Sequence, residues 1–351
     1  MKIITKIILL FTLFIIAFSV CPQRAYASNC QSEIIIEKNS RRVLYSSNEN
    51  LALPIASTTK IVTAITVIDN FDIEQEVTIP KECVGVEGSS IYLKEGERYK
   101  VKDLLYGLML RSGNDCAEAL AITLSKSREA FVELMNGLAK KCGATNSSFT
   151  NPHGLHDQNH KASAYDLAVI TAYAMKNGVF KQIVSSKTHT ATELTTGEKR
   201  VWVNKNKMLS IYEGATGVKT GFTVKAGRCL VSSAEKEGME IISVVLNCPD
   251  MFNRSCELLD YGFENYNMVK VIDKEKFNYK IPLYDKSEYY NLEIRESFYY
   301  PIKKSERIHT VLDIQNSLKN RPQNGEKVGQ IKIFASKQLI FSQNIYTLIN
   351  D

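Results

Sequence analysis

Ser57 and Lys60 stand three residues apart in LPIASTTKIVTAITVIDN, the stretch from Leu53 to Asn70. Pro54 precedes the pair. The apolar residues Ile61, Val62, Ala64, Ile65 and Ile68 follow it, which predicts a helix that starts near Ser57 and is buried on most sides. At that spacing the two side chains share one helical face. Ser57 can then be a cap for the free N–H groups of the first turn. Or it can be a nucleophile, with Lys60 as its base and its own backbone N–H helping to hold an oxyanion. The second reading is demanding. A lysine titrates near ~10.4, and bringing it to ~7 takes roughly 4 kcal/mol of differential stabilisation. Burial supplies part of that, and a second cation nearby supplies more.

Lys219-Thr220-Gly221 offers the second cation, in the strand-like GATGVKTGFT, where glycine lets another backbone approach. Lys219 could depress Lys60 and, with Thr220, hold a carboxylate. Ser112-Gly113-Asn114 lies between two helical segments in LRSGNDCAE, where a hydroxyl and an amide could relay a proton and orient an acyl carbonyl. Singly, the first triplet reads as a strand end and the second as an inter-helix turn. A further S-x-x-K, Ser233 to Lys236, falls at a strand end and polar turn and reads as an exposed turn.

The order S-x-x-K, S-x-N, K-T-G is the motif set of penicillin-binding proteins and serine β-lactamases. ASTTKIVTA, LLYGLMLRSGNDCAEALA, NPHGLHDQNHKASAYDLA and GVKTGFTVKAGRCLVSSA resemble blocks of low-molecular-weight penicillin-binding proteins, the D-alanyl-D-alanine carboxypeptidases of peptidase family S11. The resemblance runs from Ser32 to Tyr266, and more loosely beyond. It implies an α/β (α+β) transpeptidase/β-lactamase-like domain: an antiparallel sheet flanked by helices, with a helical subdomain carrying Ser112. It also implies roles. Ser57 attacks the carbonyl between two terminal D-alanines of a peptidoglycan stem peptide, and Lys60 takes its proton. Ser112 passes a proton to the departing amine. Asn114 binds the substrate amide and steadies Lys60. Lys219 and Thr220 recognise the terminal carboxylate. The N–H groups of Ser57 and of Phe222, the residue after Gly221, form the oxyanion hole. Arg254, in DMFNRSCE, aligns with an arginine that helps bind the carboxylate in relatives; its plainer reading is a surface ion pair. β-Lactams are expected as covalent inhibitors on Ser57.

The motif set calls for no cofactor and no metal. His153, His156 and His160 share a loop, but no carboxylate or cysteine completes a zinc set with them. That loop resembles a family segment beside the active site. Trp202 reads as packing. Rival functions with the same residues are a serine β-lactamase, which needs fast deacylation, and a D,D-endopeptidase. A non-catalytic wall-binding protein would tolerate damaged motifs, whereas all three are intact.

The 351-residue chain has ordinary globular composition, enough for two domains. Lys2 and Lys6 precede an apolar run from Ile7 to Val20, and Ala25-Tyr26-Ala27 offers a cleavage site, so residues 1–27 read as a secretory signal peptide and the protein as exported. Losing Lys2, Lys6 and Arg24 lowers the formal charge from +6 to +3, too weak a balance for nucleic acid. Of eight cysteines, Cys21 leaves with the signal; the other seven are scattered and read mostly as small buried hydrophobes, with room for one or two disulfides. Residues 28–266 read as the catalytic domain, strand-helix mixed, with EVTIP and SIYL strand-like. From about Val269, short β-like segments such as NYKIPL, HTVLDI and QIKIF replace helical periodicity, so 267–351 reads as a small all-β domain. No amphipathic tail is visible at the end of the chain to hold a membrane; peripheral membrane contact through the β-rich region is left open.

Overall fold

The computed structural model describes residues 29–349. The expected signal peptide lies outside the described residues. A five-stranded antiparallel sheet forms the centre, in the order Val43–Ser47, Ser32–Glu37, Met239–Leu246, Gly227–Lys236, Ala215–Thr223. The strand carrying Lys219 is therefore at an edge. EIIIE and MEIISVVL read as near-continuous apolar runs because both faces of the sheet are covered. Strand alternation divides them: Ile34, Ile36, Ile242 and Val244 join the core on one face, and Ile35, Ile241 and Val245 that on the other. The helix Met251–Asn265 closes the second face, burying Leu258 and Leu259.

The first face carries the helices. Lys60–Asn70, Asn114–Ser125, Arg128–Cys142 and Ala164–Ala174 pack together around it. Ser127 and Ser163 cap two of them, accepting from the N–H groups of Ala130 and Asp166 at 3.1 Å each. Cys30 and Cys248 form a disulfide that joins the start of the described chain to the end of a central strand. Cys83, Cys116, Cys142 and Cys229 are free and buried, and Cys256 is partly exposed.

After Asn265 the described residues are mostly β, with one 3-10 turn at Lys274–Lys276. A second five-stranded sheet has the order Tyr279–Pro282, Tyr289–Glu293, Gln338–Leu348, Lys327–Ala335, Ile308–Ile314, and Tyr266–Ile272 pairs separately with Phe298–Lys303. Ile281, Leu292, Ile331, Ile333 and Ile345 make its core. The Phe298–Lys303 strand was not among the β-like segments expected. Pro301 interrupts the pattern, and it is tolerated because this sheet has two strands and therefore free edges. Arg42 joins the two parts: its guanidinium donates to the Pro301 carbonyl at 2.6 Å and to both carboxylate oxygens of Glu306 at 2.7 and 2.9 Å.

Two local expectations change. Ser90-Ile91-Tyr92-Leu93 is strand-like in sequence but forms no strand, because the Asp115 carboxylate takes the N–H groups of Ile91 and Leu93. Ser233 is not in an exposed turn. It is buried inside the Gly227–Lys236 strand, 2.7 Å from Thr216 Oγ1. Residues three apart on a strand face opposite sides, so Ser233 and Lys236 cannot act as a pair.

Candidate active site

Ser57 lies in a 3-10 turn, Ala56–Thr59, and the α-helix begins at Lys60. Neither helical start has a side-chain cap, so Ser57 is not serving as one. Its hydroxyl instead sits 3.1 Å from Lys60 Nζ. Ala56, just before it, is buried with φ 48°, a costly conformation for a residue with a Cβ. The turn is held from several sides. Thr59 Oγ1 donates to the Ala56 carbonyl at 2.8 Å and sits 2.7 Å from His160 Nε2. His160 Nδ1 accepts the Thr150 N–H, which leaves the proton on Nε2, and burial keeps this ring neutral with its pKa lowered to about 4. Gly154 reaches over with φ 89°, where any Cβ would fall 2.0 Å from the Ala56 carbonyl.

Lys60 is wholly buried. Its amine donates to Asn114 Oδ1 at 2.6 Å and to the His153 carbonyl at 2.7 Å. The orientation of the Asn114 amide is fixed by its other end, which donates from Nδ2 to the Glu87 carbonyl at 2.6 Å. Burial above all, then the charges of Lys219 and Lys205, hold Lys60 well below the ordinary lysine range. A neutral amine has two N–H bonds and one lone pair. In that form the two acceptor oxygens of Asn114 and His153 can take the N–H bonds and the lone pair can face the Ser57 hydroxyl; in the cationic form all three oxygens accept from Nζ.

Ser112 follows a short π-helical stretch, Gly107–Arg111, and takes the left-handed conformation with φ 65° and ψ 34°. That reversal lets the next helix begin at Asn114, which enters the site two residues later. Ser112 is 7 % exposed. The adjacent Asp115 carboxylate gathers the loop above by accepting from Ser90, Ile91 and Leu93.

On the other side, the Lys219 strand presses directly on the nucleophile turn. A Cβ on Gly221 would stand 3.1 Å from the Ile55 carbonyl and from the N–H nitrogens of Ser57 and Thr58. Lys219 is 2 % exposed, and burial together with Lys205 lowers it to about 7. By alternation it faces the same way as Gly221, with Thr220 half-buried between them and Phe222 65 % exposed beyond. Ser57, Lys60, Asn114, Lys219 and Gly221 thus come together from three distant segments.

Arg254 is paired with carboxylates. Along the sheet register Lys219 is in line with Val231, Val244 and Ile34, whereas Glu33 is in line with Val245, Leu230 and Thr220, so Lys219 and Glu33 are on opposite faces. Arg254 is bound to Glu33 by two hydrogen bonds of 2.7 and 2.8 Å and to Glu257 at 2.8 Å. The plainer expectation, an ion pair, is what the described contacts show, though the pair is a buried one rather than a surface one.

The histidine loop does lie at the site, with separate tasks for its members. His153 gives its carbonyl to Lys60 while its Nε2 meets Glu118 at 3.0 Å, and Glu118 is held by Arg128. His160 holds Thr59, and His156 is exposed. A carbonyl's role leaves no trace in residue type, so sequence reasoning could not assign it to His153. Lys205 was missed for a similar reason: one of the two lysines in VWVNKNKML gives no sign that it adds charge to two distant lysines. Its backbone N–H donates to the Leu110 carbonyl at 3.1 Å, which fastens its segment beside Ser112.

This arrangement has known counterparts. The Peptidase_S11 family model, described as D-alanyl-D-alanine carboxypeptidase, matches residues 19–250. D-alanyl-D-alanine carboxypeptidase DacF of Bacillus subtilis strain 168 is 31 % identical over 318 residues, spanning 87 % of this chain and 81 % of the relative. Among solved structures, penicillin binding protein 5 from Haemophilus influenzae superimposes with a TM-score of 0.78 at 27 % identity, covering 92 % of this chain and 97 % of that one. A single-residue mutant of the Streptomyces K15 DD-transpeptidase gives a TM-score of 0.63 at 32 % identity, covering 67 % of this chain and 98 % of that one. With its transpeptidase-like fold, its three motifs meeting around Ser57 and Lys60 and a family match over most of its length, this chain belongs to the S11 family of serine D-alanyl-D-alanine carboxypeptidases.

Proposed function

We propose that the protein removes the terminal D-alanine from peptidoglycan stem pentapeptides through an acyl-enzyme on Ser57. The observation that carries this reading is the buried Lys60 amine, set 3.1 Å from Ser57 Oγ and fixed there by the Asn114 and His153 oxygens, so that in its neutral form its lone pair can take the Ser57 proton. Ser57 gives its proton to Lys60 Nζ as its oxygen bonds to the carbonyl carbon of the penultimate D-alanine. The backbone N–H groups of Ser57 and Phe222 take the charge that develops on the carbonyl oxygen. When the C–N bond breaks, the departing amine receives the proton from Lys60 by way of Ser112. A water then gives a proton to Lys60 as its oxygen bonds to the ester carbonyl carbon; the bond from that carbon to Ser57 Oγ breaks, Ser57 Oγ takes the proton from Lys60, and the shortened peptide leaves with a new carboxyl group. Asn114 binds the acyl amide. Lys219 and Thr220 hold the terminal carboxylate, with Lys219 in its cationic form.

A β-lactam would acylate the same hydroxyl, since its strained amide takes the place of the D-alanyl-D-alanine bond. The signal-like residues 1–27 support export, with action on the cell wall outside the cytoplasmic membrane and a part in wall organisation. Residues 28–266 would be the catalytic unit and 267–351 a β-rich appendage fastened through Arg42. Among the described residues no helix is long and apolar enough to cross a membrane.

The test is D-alanine release from a pentapeptide by the purified protein and by Ser57→Ala, with labelled penicillin in parallel. Release and labelling are expected in the native protein, and neither in the variant. Unchanged release by Ser57→Ala would remove Ser57 from the mechanism.

A further inference from the structure

Tyr92 is 81 % exposed and has φ 63°, in the left-handed region. A residue with a Cβ stays there at an energetic cost. Its surroundings explain how it is kept. Asp115 accepts the N–H of Ile91 at 3.1 Å, the N–H of Leu93 at 3.1 Å and the hydroxyl of Ser90 at 2.6 Å. Ser90 Oγ in turn accepts the Tyr92 N–H at 2.8 Å. Ile91 and Leu93 point into the core, 8 % and 2 % exposed, so the ring between them is driven outward. The fold gains almost no burial from this ring and holds it in a disfavoured backbone conformation.

The loop is also strapped to the site. Asn114 donates from Nδ2 to the Glu87 carbonyl at 2.6 Å and from its backbone nitrogen to the Ser89 carbonyl at 2.7 Å. The segment that presents Tyr92 is therefore bonded to the residue that contacts Lys60, on the wall formed by Asn114 rather than the wall formed by Lys219.

We propose that Tyr92 is a specificity-determining residue whose ring packs on the acyl part of the peptide, N-terminal to the penultimate D-alanine. This rests on the function proposed above, in which Asn114 takes the acyl amide and Lys219 the leaving residue's carboxylate. A flat, rigid ring on the acyl wall offers contact area at low entropic cost to the residue next along the stem.

The experiment compares kcat/KM for diacetyl-L-Lys-D-Ala-D-Ala with that for N-acetyl-D-Ala-D-Ala, in the native protein, Tyr92→Gly and Tyr92→Phe. Tyr92→Gly is expected to lose about tenfold on the longer peptide, the effect of ~1.4 kcal/mol, and clearly less on the shorter one. Its thermal unfolding midpoint is expected to match or exceed the native value, since glycine adopts positive φ freely. Tyr92→Phe, which keeps the ring, is expected to stay within about twofold on the longer peptide. Equal fractional losses on the two peptides, or no loss on the longer one, would overturn the proposal. If the native protein released D-alanine from neither peptide, the function itself would fall, and this inference with it.

Discussion

Lys60 Nζ lies 3.1 Å from Ser57 Oγ, at the one side of the amine not occupied by Asn114 Oδ1 or the His153 carbonyl. The separation and the burial together are what a base with a single partner requires. Lys60→Met, which keeps the volume and removes the lone pair, should cut the rate of penicillin acylation by about 10²- to 10⁴-fold. Its thermal stability should not fall, because a buried amine is replaced by an apolar group. Stopped-flow acylation and a melting curve measure both. Acylation near the native rate would discard Lys60 as the base.

The pH dependence follows from the two lowered lysines. Lys219, lowered to about 7, has to be cationic to take a carboxylate, so kcat/KM should fall on the alkaline side with a limb near that value. Lys219→Arg keeps the charge and should move the limb upward. Stability runs the other way. A lysine whose folded pKa lies below its unfolded value binds fewer protons in the native state, so stability should rise with pH from about 7 toward the ordinary lysine range. Below about 7 the penalty is constant. Denaturant titrations at pH 7 and pH 9 should show the rise in the native protein and a smaller one in Lys219→Met.

Gly221→Ala should uncouple folding from rate. The new Cβ would stand 3.1 Å from the backbone nitrogen of Ser57, close enough to push the nucleophile turn by a few tenths of an ångström. We expect about a tenfold or greater loss in acylation rate, in line with the sensitivity of catalysis to small misplacements, and a midpoint shift of only a few degrees. A variant with native acylation would show that the strand and the turn are not mechanically joined there.

Arg254→Ala should damage stability and spare recognition. It strips Glu33, a fully buried carboxylate, of two charged hydrogen bonds, and the loss should be about 3–5 kcal/mol in urea unfolding. The KM of the folded fraction for a pentapeptide should stay within about twofold. A large rise in KM with little change in stability would return Arg254 to the substrate.

Much of the site was legible because its chemistry needs particular side chains at short spacings. Ser57 and Lys60 share a helical turn, and Lys219 and Gly221 share a strand face, so local periodicity already put each pair on one side. The alternation of EIIIE and MEIISVVL was harder, since a strand buried on both faces loses the polar half of its pattern. SIYL misled for another reason: its backbone donors go to the side chain of Asp115, more than twenty residues away in the sequence.

What the sequence determined by itself was a list: one nucleophile, one candidate base, a second cation, an amide and the helices and strands to carry them. It could not say whether Ser57 capped its helix, because capping and catalysis ask for the same hydroxyl at the same place. Tertiary structure decided that by setting Lys60 Nζ beside the hydroxyl and giving the turn no side-chain cap. It also paired Arg254 with Glu33, 221 positions away. The reason is the same in both cases. Burial and charge act through space, and their sum at one atom depends on which distant segments the fold brings within a few ångströms of it.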